Sequence, residues 1–331
     1  MTYDLVPPLP TALQVEVTSA CNLRCAMCLV TYRPPVNKVE GAMDPALLHG
    51  LLHELPDLNR LTLQGLGEPL LHPQLLELIA YAHGRGITVG FNTNATLLTR
   101  PKADALVAAG LDWLHVSLDG ARAETYEAIR DGARWPVVIR NLAGLVAARR
   151  DAGSTTPDIR VVFVAMRRNI ADLAPLVRLL ADIGLAELRV QGLSHDFADT
   201  DPSGSYAEIR QYAHEQALAA DDPAVDAAFG AAQEAATEHG IRLRLPDAGA
   251  EPARAGPGCT WPWDSAYVTS GGVVQPCCMV MGDDRVALGR LAEESFATIW
   301  AGPSYVDFRR RLRDGPLPAV CQGCAFYRGT F

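Results

Sequence analysis

The chain has 331 residues, of which 49% are hydrophobic and 20% charged, and its formal net charge is −9. This balance predicts a well-buried globular chain of one large domain or two smaller ones, and it excludes intrinsic disorder. Because neutralising phosphates requires concentrated positive charge, the acidic balance and the lack of a lysine- and arginine-rich block argue against a nucleic-acid partner.

The N-terminal segment Met1–Leu5 does not combine a basic region with an apolar one, so it does not resemble a signal peptide. No apolar run reaches the ~18 residues that a membrane-spanning helix needs. We therefore expect a cytoplasmic protein without a membrane partner. Thiols stay reduced in that compartment, so the eight cysteines are expected to bind metal rather than to form disulfides.

The first predicted strand, Leu13–Val17, leads into Cys21, Cys25 and Cys28 at C-x3-C-x2-C spacing. Three thiolates on one short loop can hold three irons of a [4Fe–4S] cluster and leave the fourth iron open to another ligand. The alternative is a partial zinc knuckle or a cysteine-rich loop. Structural zinc sites use four tetrahedral ligands in CxxC-type pairs, so the spacing favours the cluster.

Short β-branched or apolar runs alternate with longer segments of helical periodicity, which is typical of a parallel sheet with helical crossovers. Six such units predict an α/β fold, a partial (β/α)6 TIM-like barrel. Barrel active sites lie at the carboxyl ends of the strands, where the cysteine loop begins. The predicted strands are Leu13–Val17, Arg60–Gln64, Thr88–Asn92, Trp113–Leu118, Ile159–Val164 and Glu187–Gln191, and the predicted helices are Pro45–Leu55, Gln74–Gly84, Pro101–Ala109, Val137–Asp151 and Ala171–Ile183.

The second strand runs into Gly65-Leu66-Gly67-Glu68-Pro69, and the fourth into Ser117-Leu118-Asp119-Gly120. Together with the cysteine spacing, these segments resemble the radical S-adenosylmethionine (SAM) enzymes. The resemblance implies that the open iron binds the amino and carboxylate groups of SAM. It also implies an electron donor such as flavodoxin or ferredoxin. In that family a cluster electron cleaves SAM to methionine and a 5′-deoxyadenosyl radical, which takes hydrogen from the substrate.

By the same resemblance, Gly67 and Glu68 belong to the segment that holds the SAM amino group. Glycine lets the backbone approach a ligand closely, and a carboxylate complements an ammonium group. Met27 stands just before the third cysteine, where the family often has an aromatic residue. The polarisable thioether is expected to lie against the adenine of SAM.

The other expected SAM contacts follow strands three to five. Asn94 supplies a hydrogen-bonding group at the barrel mouth, and Ser117 is expected to contact the SAM ribose or carboxylate. Arg167 is expected to pair bidentately with the methionine carboxylate. Two roles are open to Asp119, a SAM contact or a cap of the following helix. His195, after strand six, is assigned to an ordinary loop.

The composition shifts after the sixth strand, which predicts three parts. Residues 1–197 are expected to form the radical SAM barrel core and residues 198–256 a helical connector. That connector contains helical stretches over 206–220 and 226–238, a strand-like segment at 241–245 and a linker rich in Gly, Ala and Pro. Residues 257–331 are expected to form a small α+β auxiliary iron–sulfur domain.

The last part contains a second cysteine group, Cys259, Cys277, Cys321 and Cys324, with Gly272 between the first two. Four thiolates complete a [4Fe–4S] site. The spacing C-x12-G-x4-C followed by C-x2-C resembles the twitch form of the SPASM domain, which implies a second, fully ligated [4Fe–4S] cluster. The alternative is a zinc ribbon, which also uses C-x2-C.

Cys278 is left over once these seven cysteines are assigned as ligands. Three roles are open to it. It can replace Cys277 as a ligand, pack as a small hydrophobic residue, or donate a hydrogen atom to a substrate radical.

We therefore expect a radical SAM oxidoreductase with two [4Fe–4S] clusters and a small polar substrate, such as a sugar, aminocyclitol or nucleoside of secondary metabolism, for example in antibiotic biosynthesis. The favoured reaction is dehydrogenation with the auxiliary cluster as electron acceptor. Epimerisation or decarboxylation of such a metabolite is one alternative. Peptide maturation is another; maturases often carry a leader-binding module of about 80 residues before the cluster motif, which here begins at residue 21. A non-catalytic iron–sulfur or zinc scaffold is the third.

Overall fold

The computed structural model describes residues 3–32, 41–219, 221–246, 258–280, 282 and 284–329, and most of its strands belong to one ten-stranded sheet. Two further short strands form a separate antiparallel ribbon. Numbered in chain order, the strands are β1 (Ala12–Val15), β2 (Arg24–Cys25), β3 (Arg60–Leu63), β4 (Thr88–Thr93), β5 (Trp113–Ser117), β6 (Arg130–Asp131), β7 (Asp158–Val164), β8 (Glu187–Gln191), β9 (Arg242–Arg244), β10 (Ser265–Val268), β11 (Val273–Gln275) and β12 (Gly289–Arg290).

Helices separate most of the successive strands, as crossovers between parallel strands require. Among the described residues, none of these helices combines the length and the apolar character needed to cross a bilayer. The helices are α1 (Leu29–Tyr32), α2 (Pro45–Glu54), α3 (Leu75–Gly84), α4 (Arg100–Ala108), α5 (Ala123–Ile129), α6 (Trp135–Asp151), α7 (Leu173–Ile183), α8 (Ala207–Gln216), α9 (Pro223–His239), α10 (Trp261–Asp264), α11 (Phe296–Ala301), α12 (Pro303–Asp314), α13 (Ala319–Gln322) and α14 (Ala325–Arg328).

The six predicted barrel strands are β1, β3, β4, β5, β7 and β8, which lie side by side and pair in parallel. Each observed strand begins and ends close to its predicted limits. The sheet order is β12-β11-β10-β1-β3-β4-β5-β7-β8-β9. The predicted α/β fold class, a partial barrel of parallel strands, is therefore confirmed.

Both edges of the barrel sheet are extended by later parts of the chain. β10 pairs in parallel with β1, in register from Ala12 opposite Ser265 to Val15 opposite Val268. β11 turns back antiparallel to β10 to form a hairpin, and β9 adds to the opposite edge beside β8. The C-terminal hairpin thus continues the barrel sheet. The predicted linker rich in Gly, Ala and Pro falls largely on residues 247–257, which lie outside the described residues.

A buried arginine ties the C-terminal helices to the start of the chain. Arg309 lies between the rings of Trp300 and Tyr305, with its guanidinium carbon 4.1 Å from each ring centroid. It donates hydrogen bonds to the carbonyl oxygens of Leu5 at 3.0 Å and Pro262 at 2.8 Å. Burial lowers the pKa of Arg309 to about 10. The segment before β1 is therefore packed against α11 and α12.

Candidate active site

The three N-terminal cysteines lie on a folded loop at the carboxyl end of β1. Cys25 belongs to the β2–β6 ribbon, where it pairs with Arg130. Its carbonyl oxygen accepts hydrogen bonds from the Cys28 N–H at 3.0 Å and from the Thr31 hydroxyl at 2.8 Å. The Cys25 thiol lies within electrostatic range of the thiols of both Cys21 and Cys28. The fold therefore collects the three predicted ligands in one small region.

A buried ion pair lies beside Cys25. The Arg130 Nη1 atom is 3.8 Å from Cys25 Sγ, and its Nε–H donates to Asp119 Oδ2 at 2.7 Å. Asp119 is fully buried, and its Oδ1 accepts the Val164 N–H at 2.8 Å. The predicted cap role of Asp119 is wrong, because the N-cap of α5 is Arg122. The Asp119 carboxylate is enclosed by protein, and its contact with SAM stays a prediction. Asp119 anchors Arg130.

The loop thiols need a cation to be held as thiolates. Burial raises the pKa of the Cys25 thiol to about 12, against the opposing effect of Arg130. Burial also raises the pKa of Cys21, and the charge of Glu68 contributes in the same direction. Metal ligation requires the deprotonated sulfur. This donor set of three gathered thiols, of which that of Cys25 is buried, fits an iron–sulfur cluster with one open iron.

Gly67 lies against the backbone of the cysteine loop. A Cβ atom at this position would lie 2.2 Å from the Thr18 carbonyl oxygen and 2.5 Å from that of Ala20. The next residue, Glu68, donates its N–H to the same Ala20 oxygen at 2.8 Å. Only glycine allows this approach, so the segment assigned to SAM binding also supports the loop that carries the cysteines.

Gly67→Ala is expected to prevent assembly of the N-terminal cluster, because its methyl group meets backbone atoms that no side-chain rotation can move. We expect iron analysis after anaerobic reconstitution to show a loss of about four irons per chain. Gly144→Ala is the matched control, since a Cβ at Gly144 in α6 meets nothing within 4 Å. It should keep the wild-type iron content. Full iron content in Gly67→Ala would refute the packing argument.

Glu68 joins the segment after β3 to the end of β4. Its Oε1 accepts the Thr93 hydroxyl at 2.7 Å and the Leu70 N–H at 3.2 Å, while its Oε2 accepts the Asn94 N–H at 2.8 Å. The Asn94 side chain donates to Asn22 Oδ1 on the cysteine loop at 3.1 Å. Burial raises the pKa of Glu68. Glu68 and Asn94 are thus brought together beside the cluster loop, and their contact with SAM remains a prediction.

The other predicted SAM contacts separate into two groups. Met27 lines the cavity described below, whereas Ser117 ends β5 in a partly buried position outside the cavity wall. Arg167 is exposed, and its Nε–H donates to the Ala217 carbonyl oxygen at the end of α8 at 2.9 Å. Its side chain is therefore directed to a helix end, and the structure does not bring Arg167 to the predicted SAM carboxylate.

The C-terminal cysteines come from separate segments that meet. Cys259 precedes α10, Cys277 and Cys278 follow β11, Cys321 lies in α13, and Cys324 precedes α14. Burial raises the pKa of Cys277 well above its usual value, and the four other thiols raise it further by their proximity. The fold thus assembles the predicted auxiliary ligands, and Cys278 lies in the same group.

His195 connects the barrel to this second cysteine group. It is 2% exposed, its Nδ1 accepts the Phe197 N–H at 2.8 Å, and its Nε2 therefore donates to the Val320 carbonyl oxygen at 2.7 Å. His195 also forms a backbone bridge with Cys324. His195 lies in a loop, as predicted, and this loop is docked on the segment that contains Cys321 and Cys324.

A cavity of about 500 Å³ lies inside the barrel between the two cysteine groups. Met27 and Cys28 contribute to its wall from the N-terminal cysteine loop. Cys278 and Met279 contribute from the C-terminal part of the chain. A ligand of small-molecule size in this space would contact both groups.

The inner face of the sheet is polar along this cavity. Barrel interiors are ordinarily filled by branched apolar side chains, so a polar interior marks a ligand site. These residues are not among the predicted site residues, although polar residues at every second position of a parallel strand are a detectable signal. The sheet residues that line the cavity with polar or aromatic side chains are Gln14, Arg60, Thr62, Asn92, Trp113, His115, Arg189, Gln191 and Tyr267.

The eight cysteines are free thiols, and both cysteine groups offer thiol ligands. Thiolates are the ligands that hold iron–sulfur clusters in proteins, so the donor chemistry of both groups fits such clusters.

The chain is similar to several characterised proteins. It is 30% identical over 184 residues to the tungsten-containing aldehyde ferredoxin oxidoreductase cofactor-modifying protein of Pyrococcus furiosus, over 55% of this chain and only 51% of that protein. It is 28% identical to the mycofactocin maturase MftC of Mycobacterium tuberculosis, over 96% of this chain and 76% of that protein. The crystal structure of Streptococcus suis SuiB bound to precursor peptide SuiA shares the fold, with a TM-score of 0.69 at 15% identity over 97% of this chain and 70% of SuiB.

Two family models match the chain, and each contains one of the cysteine groups. The model of the radical SAM superfamily matches residues 15–174, and the model of the SPASM iron–sulfur cluster-binding domain matches residues 259–325. Their cofactors are SAM and [4Fe–4S] clusters. Together the two matches cover more than half of the sequence. The chain is therefore a member of the radical SAM enzyme superfamily with a C-terminal SPASM domain.

Proposed function

We propose that the protein is a radical SAM oxidoreductase that dehydrogenates a small polar metabolite, such as a sugar, an aminocyclitol or a nucleoside-like compound of secondary metabolism. The observation that carries this proposal is the cavity whose wall includes Met27 and Cys28 on one side and Cys278 and Met279 on the other. Dehydrogenation removes a hydrogen atom, a proton and an electron from the substrate. A substrate between two clusters has both a radical source and an electron acceptor within reach.

The side chains around the two cysteine groups have separate tasks in this proposal. Bound SAM and its cluster supply hydrogen-atom abstraction. Arg130 places a positive charge beside Cys25, and Asp119 holds that guanidinium in position. His195 fixes the segment that contains the last two C-terminal ligands. The proposed ligands are Cys21, Cys25 and Cys28 for the SAM-binding cluster and Cys259, Cys277, Cys321 and Cys324 for one twitch-type auxiliary cluster.

Epimerisation of such a metabolite is an alternative on the same site. An epimerase must return a hydrogen atom to the substrate radical from the opposite face. Cys278 lines the cavity and is left over by the ligand assignment, so its thiol is suitably placed for that step. Decarboxylation begins with the same hydrogen abstraction. The mass of its product distinguishes it from the other two reactions.

Peptide maturation is the second candidate function, and the relatives favour it. MftC is a maturase by name, and the SuiB structure contains a precursor peptide. A single peptide side chain is small enough for a cavity of about 500 Å³. The two functions differ in substrate class and not in the radical chemistry, so product analysis separates them.

The deciding experiment supplies anaerobically reconstituted enzyme, SAM and dithionite with pools of small polar metabolites and, separately, of peptides. Dehydrogenation predicts a metabolite product lighter by two hydrogen atoms, formed together with an equal amount of 5′-deoxyadenosine. Mass spectrometry reads both. A mass change confined to the peptide pool would contradict the proposal and favour maturation.

Cys278→Ala separates dehydrogenation from epimerisation in the same assay. A dehydrogenase returns no hydrogen atom to its substrate, so the variant should still form product. An epimerase should instead lose product formation, together with the solvent deuterium that the wild-type enzyme incorporates. Cys277→Ala is the comparison, since the loss of an auxiliary ligand should remove about four irons per chain.

A further inference from the structure

The charged side chains that line the cavity are of one sign. Arg60, the first residue of β3, and Arg189 of β8 both contribute to the wall. Among the described residues, no Asp or Glu lines the cavity. This is unexpected in a chain whose formal net charge is −9. The cavity wall is therefore selectively cationic.

The Arg60 guanidinium is positioned by an aromatic ring and not by a carboxylate. Its guanidinium carbon lies 5.0 Å from the centroid of the Trp113 ring. The ring fits because its neighbour is Gly90, where a Cβ would lie 2.2 Å from Trp113 Cδ2. No described carboxylate lies within 4.0 Å of Arg60 in an ion pair. Stacking on an aromatic face leaves the guanidinium N–H groups available at its edge.

Glu187, a carboxylate that acts on Arg189, is shared with other arginines. It also forms ion pairs with Arg160, with Arg242 at 3.4 Å and with Arg244 at 3.7 Å. This one buried carboxylate therefore faces several guanidinium groups and does not by itself balance their positive charge.

His115, between these arginines, adds neither a positive nor a negative charge. Its Nε2 atom lies 3.3 Å from Arg160 Nη1, and a neutral imidazole accepts the hydrogen bond from that guanidinium. Burial and the charges of Arg160, Arg60 and Arg189 lower the pKa of His115 to about 3. The imidazole is neutral at neutral pH, so it is a polar wall group and does not compensate the arginines.

We propose that the substrate of this enzyme carries an anionic group, a carboxylate or a phosphate monoester, and that Arg60 and Arg189 bind it. Arginine forks bind both groups through paired N–H donors. Arg60 begins β3, whereas the cysteine loop follows the carboxyl end of β1. Arg189 lies midway along β8. The remainder of the substrate extends from the two arginines through the cavity towards Met27 and Cys28. The inference rests on the proposed function and narrows its substrate class.

The test measures binding of three probes to the reconstituted holoenzyme with SAM, by ligand-observed NMR and calorimetry. The probes are 3-phenylpropanoate, phenyl phosphate and the uncharged 3-phenylpropanamide. We expect at least one anionic probe to bind at millimolar concentration or tighter and to bind about 10-fold or more tightly than the amide. Which anion binds tighter distinguishes a carboxylate substrate from a phosphate one.

Arg60→Gln and Arg189→Gln are each expected to weaken anion binding by about 10- to 100-fold and to leave amide binding unchanged. Arg178→Gln, at an exposed position of α7, should bind all three probes as the wild type does. Iron content verifies that the variants are folded and loaded. Equal binding of anions and amide, no binding of either anion, or unchanged anion binding in both cavity variants would each overturn the proposal.

Different results refute the proposed function and the proposed substrate class. If the wild-type enzyme forms no 5′-deoxyadenosine from SAM with dithionite, the radical function is refuted whatever the probes do. If 5′-deoxyadenosine forms but the anionic probes show no preference, only the substrate class is refuted.

Discussion

Cys25→Ala is expected to abolish SAM cleavage and to lower the iron content from about eight to about four per chain. Cys25 is 8% exposed, pairs with Arg130 in the β2–β6 ribbon and has its sulfur 3.8 Å from the Arg130 guanidinium. Removing this sulfur leaves only two ligands on the loop, while Arg130 keeps its ion pair with Asp119. Iron and sulfide analysis and chromatography of 5′-deoxyadenosine measure the two effects.

The control for this variant is Cys278→Ala, which removes a thiol that the ligand assignment leaves over. It should keep about eight irons per chain and should still cleave SAM. Continued 5′-deoxyadenosine formation by Cys25→Ala would overturn the assignment of the N-terminal cluster. A content near four irons with zinc present in the wild-type protein would overturn the auxiliary cluster instead.

The barrel strands could be predicted because each is a short apolar or β-branched run bounded by polar or helical segments. β8, Glu187–Gln191, has its predicted limits at both ends. The joining of β10 to β1 could not be predicted in this way. Ser265–Val268 reads only as one arm of a hairpin, and its pairing with residues 12–15 depends on tertiary packing that local patterns do not record.

The grouping of the N-terminal cysteines could be predicted because their spacing is local, whereas the residues that contact them could not. Arg130 lies 105 residues after Cys25, and a two-residue ribbon brings them together. For Arg167 the sequence indicated the correct end of β7 but not the direction of the side chain. That side chain donates a hydrogen bond to the Ala217 carbonyl oxygen at the end of α8. Position along a strand predicts which end of a barrel a residue occupies. It does not predict what its side chain contacts.

The docking of the loop after β8 onto the auxiliary ligands has a mechanistic consequence. His195 donates to Val320, and the Asp196 N–H donates to the Gly323 carbonyl oxygen at 3.0 Å. The residues immediately before this loop, including Gln191, line the cavity. The same short segment therefore forms part of the cavity wall and contacts the segment of the second cysteine group. Loss of the auxiliary cluster should accordingly affect product formation more than SAM cleavage.

Cys321→Ala is expected to produce this separation. The variant should lose about four irons per chain and lose product formation, while it still forms 5′-deoxyadenosine. Cys321 lies in α13, next to the Val320 carbonyl that His195 binds, and the N-terminal cysteine loop has no ligand from this segment. Iron analysis, 5′-deoxyadenosine yield and product yield are measured on one preparation, with circular dichroism to verify the fold. Unchanged product formation at the reduced iron content would refute the role of the auxiliary cluster as electron acceptor. Loss of 5′-deoxyadenosine together with an intact fold would show instead that the two cysteine groups depend on each other for assembly.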